Sequence, residues 1–147
     1  MSNFAPIDLS LDEVLSWNAD IAPDEVFIEN ARGEHQGAKV SYRETNELAQ
    51  LFAEAFKFQG AKPGDRIAII MEDSIDCVAA IFGAFRLGAV VVPIDKSWGK
   101  TSQASIIESA TPSIILASDD ARPGAIAFAE IKQHQKPLES NRKLPSD

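Results

Sequence analysis

The sequence is poor in the side chains that most often bind metals or form covalent intermediates. Its 147 residues include one cysteine, Cys77, and two histidines, His35 and His134. A single cysteine excludes an internal disulfide, and these three residues provide no ligand set at zinc spacing. We therefore predict no metal centre and no cysteine–histidine nucleophile. We expect Cys77 to be a small buried apolar residue and both histidines to lie at the surface.

Positive charge is also scarce. Lys and Arg number 14 against 22 Asp and Glu, which gives a net charge of −8. This balance disfavours binding to nucleic acid backbones and to anionic membrane surfaces, because both need clustered cations. No apolar run approaches the roughly 18 residues of a membrane span, and residues 1–10 lack the basic start and apolar core of a signal peptide. We expect no nucleic acid partner, no membrane span and a cytoplasmic location.

A phosphate-binding loop is missing as well. The sequence has 8 glycines, and none of them forms a GxGxxG or GxxxxGK(S/T) pattern. Two acidic pairs, Glu72-Asp73 and Asp119-Asp120, follow predicted strands, where α/β proteins often place catalytic groups. We favour a simpler interpretation, in which these acids complement helix dipoles, and the catalytic alternative stays open. We assign no catalytic, cofactor-binding or metal-binding residue.

The first third of the sequence predicts a helix, a hairpin and a longer helix. Ser10 with Glu13 and Ser41 with Glu44 have the spacing of capping boxes, which start helices. Between these helices, residues 26–28 and 39–42 are typical of two antiparallel strands. The longer helix ends at Gly60 and has one apolar face, formed by Leu48, Leu51, Phe52, Ala55 and Phe56.

The central part of the sequence alternates strands and helices. Residues 66–71 and 90–94 are short apolar runs, and a helix over 74–87, capped by Ser74, separates them. A weaker copy follows, with a helix over about 102–109 capped by Thr101 or Ser102, and a strand over 113–117. We predict an α/β fold with a parallel βαβαβ core and an N-terminal antiparallel hairpin. After residue 118, only residues 125–131 are apolar enough to form another element.

Three segments together resemble one enzyme family. They are VSYRE at 40–44, KPGDRIAI at 62–69 and FRLGAVVVPID at 85–95. The first two are similar to the opening Ser/Thr-Tyr-x-Glu-Leu motif and the Gly-Asp-x-Val-Ala strand of adenylate-forming enzymes, the superfamily of acyl-CoA synthetases, peptide-synthetase adenylation domains and luciferases. The third is similar to their Leu-Lys-Ala-Gly-Ala-x-Tyr-Val-Pro-Ile/Leu-Asp motif. The sequence departs from this pattern at Thr45, where leucine is usual, and over 99–104.

The resemblance covers about residues 10–118 and implies part of the large N-terminal domain of such an enzyme. We divide the chain into a partial AMP-binding domain at 1–118 and an irregular tail or continuation at 119–147. Family members use ATP and Mg²⁺ to adenylate a carboxylic acid, which is then transferred to CoA or to a carrier-protein thiol. Their Thr/Ser/Gly-rich phosphate loop, which ends in Pro-Lys-Gly, follows this region, and residues 144–147 resemble the sequence just before it.

The resemblance leaves three hypotheses for the chain. The first is a catalytically incomplete N-terminal portion of an acid–thiol ligase that binds no cofactor alone. The second is one half of a split enzyme, and the third is a binding or regulatory module with the same fold. We expect its partners to be the remainder of an adenylating enzyme, or further copies of the chain that associate through uncovered apolar faces.

Overall fold

A computed structural model describes residues 8–33, 35–72, 74–118 and 124–133. The first elements are α1 (Leu11–Ile21), β1 (Val26–Glu29), β2 (Lys39–Ser41), α2 (Tyr42–Phe58) and β3 (Arg66–Met71). They are followed by α3 (Ile75–Leu87), β4 (Val90–Asp95), α4 (Lys100–Ala110), β5 (Ile114–Ala117), β6 (Ile126–Ala127) and α5 (Phe128–Gln133). The structure therefore places a short strand and a short helix inside the predicted tail.

Side-chain caps start three of the helices at the predicted residues. Ser10 and Glu13 form a reciprocal capping box at α1, and Ser41 and Glu44 form a second one at α2. At α3 the Ser74 hydroxyl accepts a hydrogen bond from the Cys77 N–H, at 3.1 Å. Each cap satisfies backbone N–H groups that have no partner inside the helix.

The start of α4 differs from the prediction. The N-cap is Gly99, with no side-chain cap, so Thr101 and Ser102 already lie in the first turn and the predicted caps are wrong. The Gln103 side chain donates hydrogen bonds to the carbonyls of Lys96 and Trp98, at 3.2 and 2.8 Å. These bonds hold the preceding loop but satisfy carbonyls, so they do not replace a cap. The helix begins earlier than predicted because Gly99, a residue type that is also favoured at the N-cap, precedes it.

The sheets have the predicted topology. β1 and β2 form a two-stranded antiparallel sheet, and the four-stranded sheet has the order β4-β3-β5-β6. Every neighbouring pair in the larger sheet is parallel, and β4 forms one edge, with Pro93 opposite Ile69. The α/β class, the parallel core and the N-terminal hairpin are therefore confirmed.

The larger sheet is covered on both faces. Ile67 and Ile69 of β3 pack into a cluster with residues of α2, α3 and α5. Ala68 and Ile70 point to the opposite face, where Ile106 of α4 packs. This alternation follows from the period of two along a strand, and it explains why β3 is an unbroken apolar run.

Helices α2 and α3 pack closely against each other. Phe52 and Phe56 are fully buried, as predicted, and the Phe52 ring makes an edge contact with Phe128 of α5. A Cβ added to Gly83 of α3 would lie 2.7 Å from the Phe52 Cβ and 2.8 Å from the Ala49 carbonyl oxygen. The missing side chain of Gly83 thus permits a close approach of α3 to α2.

Arg86 joins α3 to the two preceding helices. Its Nε donates to Asp12 Oδ1 of α1 at 2.8 Å, and its Nη2 donates to Asn46 Oδ1 of α2 at 2.6 Å. Nη2 also donates to the Ser16 hydroxyl, at 3.2 Å. The Arg86 and Asp12 side chains are only 16% and 15% exposed, so this ion pair is better shielded from water than a surface pair.

Candidate functional site

The carboxyl ends of the parallel strands form the candidate site. From β3 the chain passes through α3 to β4 on one side, and from β4 it passes through α4 to β5 on the other side of β3. The strand order therefore reverses at β3. In open α/β sheets, ligands bind in the crevice outside the carboxyl ends of the strands at such a reversal.

Lys96 links the ends of three neighbouring strands. It follows β4, and its Nζ lies 3.2 Å from Glu72 Oε2, which follows β3. The same Nζ donates to the Ser118 hydroxyl, just after β5, at 3.1 Å. We refer to Glu72, Lys96 and Ser118 as the strand-end cluster. The Lys96 and Glu72 side chains are 40% and 46% exposed, so the cluster lies at the surface.

An open groove of about 690 Å³ lies beside this cluster, lined by Glu72 and by residues 93–98. Asp95 lines the groove and accepts a 2.7 Å hydrogen bond from the Ser97 N–H, which closes the turn after β4. Hydrogen bonds from the Ser97 hydroxyl and backbone lower the pKa of Asp95, so this carboxyl stays ionised at neutral pH. Trp98 stands at the rim and is 46% exposed.

The groove residues do not fit nucleotide phosphates by themselves. Glu72 and Asp95 outnumber the single lysine, and Lys96 is already engaged with Glu72 and Ser118. Phosphate sites need several aimed N–H groups or cations. Within the described ranges, no group of three His, Cys, Asp or Glu side chains could hold a metal ion.

The other residues considered from the sequence lie away from this groove or outside the described residues. Cys77 is buried in the core, as predicted, and burial raises the pKa of its thiol, so the thiolate is disfavoured. His35 is exposed in a turn, also as predicted. His134, Asp73 and the Asp119-Asp120 pair lie outside the described residues. Glu72 is the one acidic candidate that the structure places, and it pairs with Lys96.

Sequence patterns did not identify Lys96, Ser118 or Arg86. A polar residue directly after each buried strand was the available signal for the strand-end cluster, because parallel strands end at one edge of the sheet. Arg86 entered the sequence analysis only as part of the segment 85–95, which resembles a motif of adenylate-forming enzymes. Its partners lie 40 and 74 positions away, which no local pattern reveals.

Comparison with known proteins identifies the family. The model of the family described as AMP-binding enzyme matches residues 15–146. The chain therefore belongs to the AMP-binding enzyme family. Its fold is that of part of the N-terminal subdomain of adenylate-forming enzymes, as the resemblance implied.

The curated relatives are much longer than this chain. Enterobactin synthase component F of Escherichia coli O157:H7 is 27% identical over 124 residues, which are 84% of this chain and 9% of that protein. Bacitracin synthase 1 of Bacillus licheniformis is also 27% identical over 124 residues, which are 84% of this chain but 2% of that protein. The chain thus spans less than a tenth of either relative.

Solved structures share the fold at low sequence identity. The N-terminal subdomain of Klebsiella oxytoca NpsA, in complex with 3-hydroxyanthranilyl-AMSN, superposes with a TM-score of 0.74 at 19% identity, covering 88% of this chain and 32% of that one. The fatty acid AMP ligase from Legionella pneumophila superposes with a TM-score of 0.73 at 24% identity, covering 82% of this chain and 23% of that one.

No helix among the described residues is both long and apolar enough to cross a membrane.

Proposed function

We propose that this chain forms the first sheet layer of an ATP-dependent enzyme that adenylates a carboxylic acid and passes the acyl group to a thiol. We further propose that the chain does not catalyse adenylation alone. The observation that carries the proposal is the family match over residues 15–146, together with a strand-end groove whose one lysine is already engaged.

The chemistry requires more than this groove offers. Joining a carboxylate to the α-phosphate of ATP expels pyrophosphate, and negative charge must be met by positioned N–H groups, cations and Mg²⁺. The chain has no glycine-rich phosphate loop in its sequence. The groove adds the carboxylates of Glu72 and Asp95, which repel phosphates. Further polypeptide must therefore provide the phosphate-binding groups.

Within such an enzyme, these residues would fix the shape of the sheet edge. Lys96 holds the ends of β3, β4 and β5 together through Glu72 and Ser118. Asp95 shapes the turn that directs the chain away from β4. Both are positioning roles, because each side chain bonds to protein groups that shape the ends of the strands.

Exposed apolar side chains favour additional polypeptide over a self-contained binding module. A module adapted to act alone is expected to be polar on all sides, whereas an uncovered apolar surface marks a missing neighbour. Seven large apolar side chains in the described residues are at least 39% exposed: Leu11, Trp17, Ile21, Val26, Phe58, Val90 and Trp98. Three of them lie on α1, so this helix presents apolar surface to solvent.

Pyrophosphate–ATP exchange tests the proposal. The purified chain is incubated with ATP, Mg²⁺, labelled pyrophosphate and, separately, amino acids, fatty acids and hydroxylated aromatic acids. We expect no acid-dependent exchange above a heat-inactivated control. Exchange that disappears in the Lys96→Met variant would contradict the proposal, because it would make this chain a complete catalyst. Exchange that appears only when a second polypeptide carrying the phosphate loop is added would support the split-enzyme alternative.

A further inference from the structure

Helix α4 is anchored less firmly at its ends than α2 and α3. Its N-cap is Gly99, which makes no side-chain cap bond, whereas serine hydroxyls cap α2 and α3. Within α4, the first turn holds no acidic side chain and the last turn holds no basic one, while α2 and α3 have both. Such charges stabilise a helix through its dipole. The ends of α4 therefore lack the caps and charges that stabilise the other two helices.

The side of α4 that faces the sheet also buries little apolar surface. Gln103, a polar residue, is the one buried residue within Lys100–Ala110, and Ile106 and Ile107 are only half-buried against the sheet. The buried residues of α3, by contrast, are Cys77, Ala79, Ala80, Gly83 and Ala84. Segments with few buried apolar contacts open at a lower free energy than that of global unfolding. The burial pattern thus favours local opening of α4.

The carboxyl end of α4 is strained. Thr111 has φ of 48° and ψ of 55°, and among the described residues it is the one non-glycine residue with a positive φ. A β-branched residue is a clear outlier in this region, and a residue before a proline such as Pro112 normally has an extended conformation. Arg66 Nη1 holds the helix end by donating to the Ala110 carbonyl, at 3.1 Å. Release of the helix end would relieve the strain, so the strain favours an open state.

Hydrogen bonds join α4 to the turn that precedes it. The Gln103 side chain donates to the carbonyls of Lys96 and Trp98, and Lys96 is the centre of the strand-end cluster. Residues 96–98 of this turn line the strand-end groove. We refer to residues 96–111 as the α4 segment. A movement of α4 would therefore carry one wall of the groove with it.

We propose that the α4 segment is a gate of the strand-end groove, which opens as a unit while α2, α3 and β3 stay folded. In the closed state, Gln103 holds the turn and the bonds of Lys96 to Glu72 and Ser118 complete the groove. In the open state, these bonds break and the groove loses the wall formed by residues 96–98. The inference goes beyond the proposed adenylating function and does not depend on it.

Native-state hydrogen exchange of the full chain tests the inference, with backbone amides followed by NMR at urea concentrations below the unfolding transition. Relative to their intrinsic rates, we expect the amides of Ile107 and Glu108 in α4 to exchange at least about tenfold faster than those of Ile81 and Phe85 in α3. The α4 rates should depend little on urea, because local opening exposes little surface. Equal protection and equal urea dependence in the two helices would overturn the inference.

Ile67→Val separates local opening from global unfolding. Ile67 is buried on the face of β3 that packs against α2 and α3, and this packing stays intact when only the α4 segment opens. The variant should make the α3 amides exchange about three- to tenfold faster through global unfolding, while the α4 amides stay within about twofold. Equal acceleration in both helices would contradict the gate.

Two glycine variants test the contribution of strain. Thr111→Gly removes the conformational cost of the left-handed backbone, so the α4 amides should exchange at least about threefold more slowly. Ser109→Gly, at an exposed position inside the same helix, lowers helix propensity and should make these amides exchange about twofold faster. A Thr111→Gly protein whose α4 amides exchange as fast as those of the wild type, or faster, would overturn the inference.

Gln103→Glu tests whether the turn opens together with the helix. The carboxylate keeps the size of the amide but places an oxygen against the carbonyls of Lys96 and Trp98. The Trp98 amide, which bonds to the Asp95 carbonyl in the closed turn, should then exchange at least about tenfold faster, as should the α4 amides. Faster exchange in α4 with an unchanged Trp98 amide would overturn the inference, because the turn would then be independent of the helix.

Discussion

Gly83→Ala sets two physical effects against each other in the contact between α2 and α3. Alanine is the better helix former by about 1 kcal/mol, so helix propensity alone predicts a more stable protein. The structure predicts the opposite. The added Cβ would lie 2.7 Å from the Phe52 Cβ, 2.8 Å from the Ala49 oxygen and 3.0 Å from the Ala53 nitrogen. Carbon atoms in contact normally lie about 3.5–4.0 Å apart.

These neighbours cannot rotate out of the way. Two are backbone atoms of α2, and the third is a Cβ, which moves only with the backbone. The two helices must therefore separate by roughly 1 Å, which opens gaps around the buried Phe52 and Phe56 rings. Overpacking of this kind costs about 1–3 kcal/mol. We take the upper end of this range, because α2 cannot yield locally, and expect a net loss of about 2 kcal/mol after the helix-propensity gain.

Urea unfolding followed by circular dichroism measures this difference. Gly99→Ala is the control, because a Cβ at Gly99 meets nothing within 4 Å and its backbone is not left-handed. Gly99 is an N-cap, where alanine is disfavoured, so the control should lose no more than about 1 kcal/mol. A Gly83→Ala protein as stable as the wild type, or more stable, would refute the close helix contact.

Four further predictions follow from the packing and from the proposed function. Phe52→Ala should lower the free energy of unfolding by about 3–5 kcal/mol, and a loss below about 1 kcal/mol would show that this face of α2 is not core. Arg86→Lys should lower the free energy of unfolding in urea by about 1–2 kcal/mol, because one ammonium cannot replace a planar donor set that reaches both Asp12 and Asn46. A loss below about 0.3 kcal/mol would contradict this prediction. Burial raises the pKa of the Cys77 thiol, so the folded state favours the protonated thiol. The free energy of unfolding that this preference contributes should be complete below the unfolded thiol pKa of about 8.5 and should decline as pH rises above it. Cys77→Ala should remove that decline in pH-dependent unfolding. Translation of the DNA downstream of the Asp147 codon should reveal a Thr/Ser/Gly-rich stretch ending in Pro-Lys-Gly, whereas its presence only in a neighbouring gene would favour a split enzyme.

The elements of the fold could be predicted from the sequence because their signals are local. Ser10, Ser41 and Ser74 sit at cap positions, and the apolar run of β3 indicates a strand buried on both faces. The start of α4 was mispredicted because the helix begins after Gly99, which has no side chain to cap it, and not after one of the nearby hydroxyl residues.

The strand-end groove could not be predicted because it depends on tertiary arrangement. Lys96 and Ser118 are 22 positions apart and meet only because β4 and β5 lie on either side of β3. The pairing of Glu72 with Lys96 likewise requires the register of β3 against β4, which neither strand encodes alone.

Pro93 gives the edge strand β4 a consequence for assembly. The Val90 N–H bonds to the Asp65 carbonyl on the β3 side, so alternation along the strand directs the backbone nitrogens of Val91, Pro93 and Asp95 away from the sheet. The middle one of these three nitrogens carries no hydrogen. An approaching strand would therefore find an interrupted row of donors, and polymerisation through this edge is disfavoured despite its valines. An additional strand would meet no such interruption at Pro93 if it paired with the other end of the sheet, beside β6.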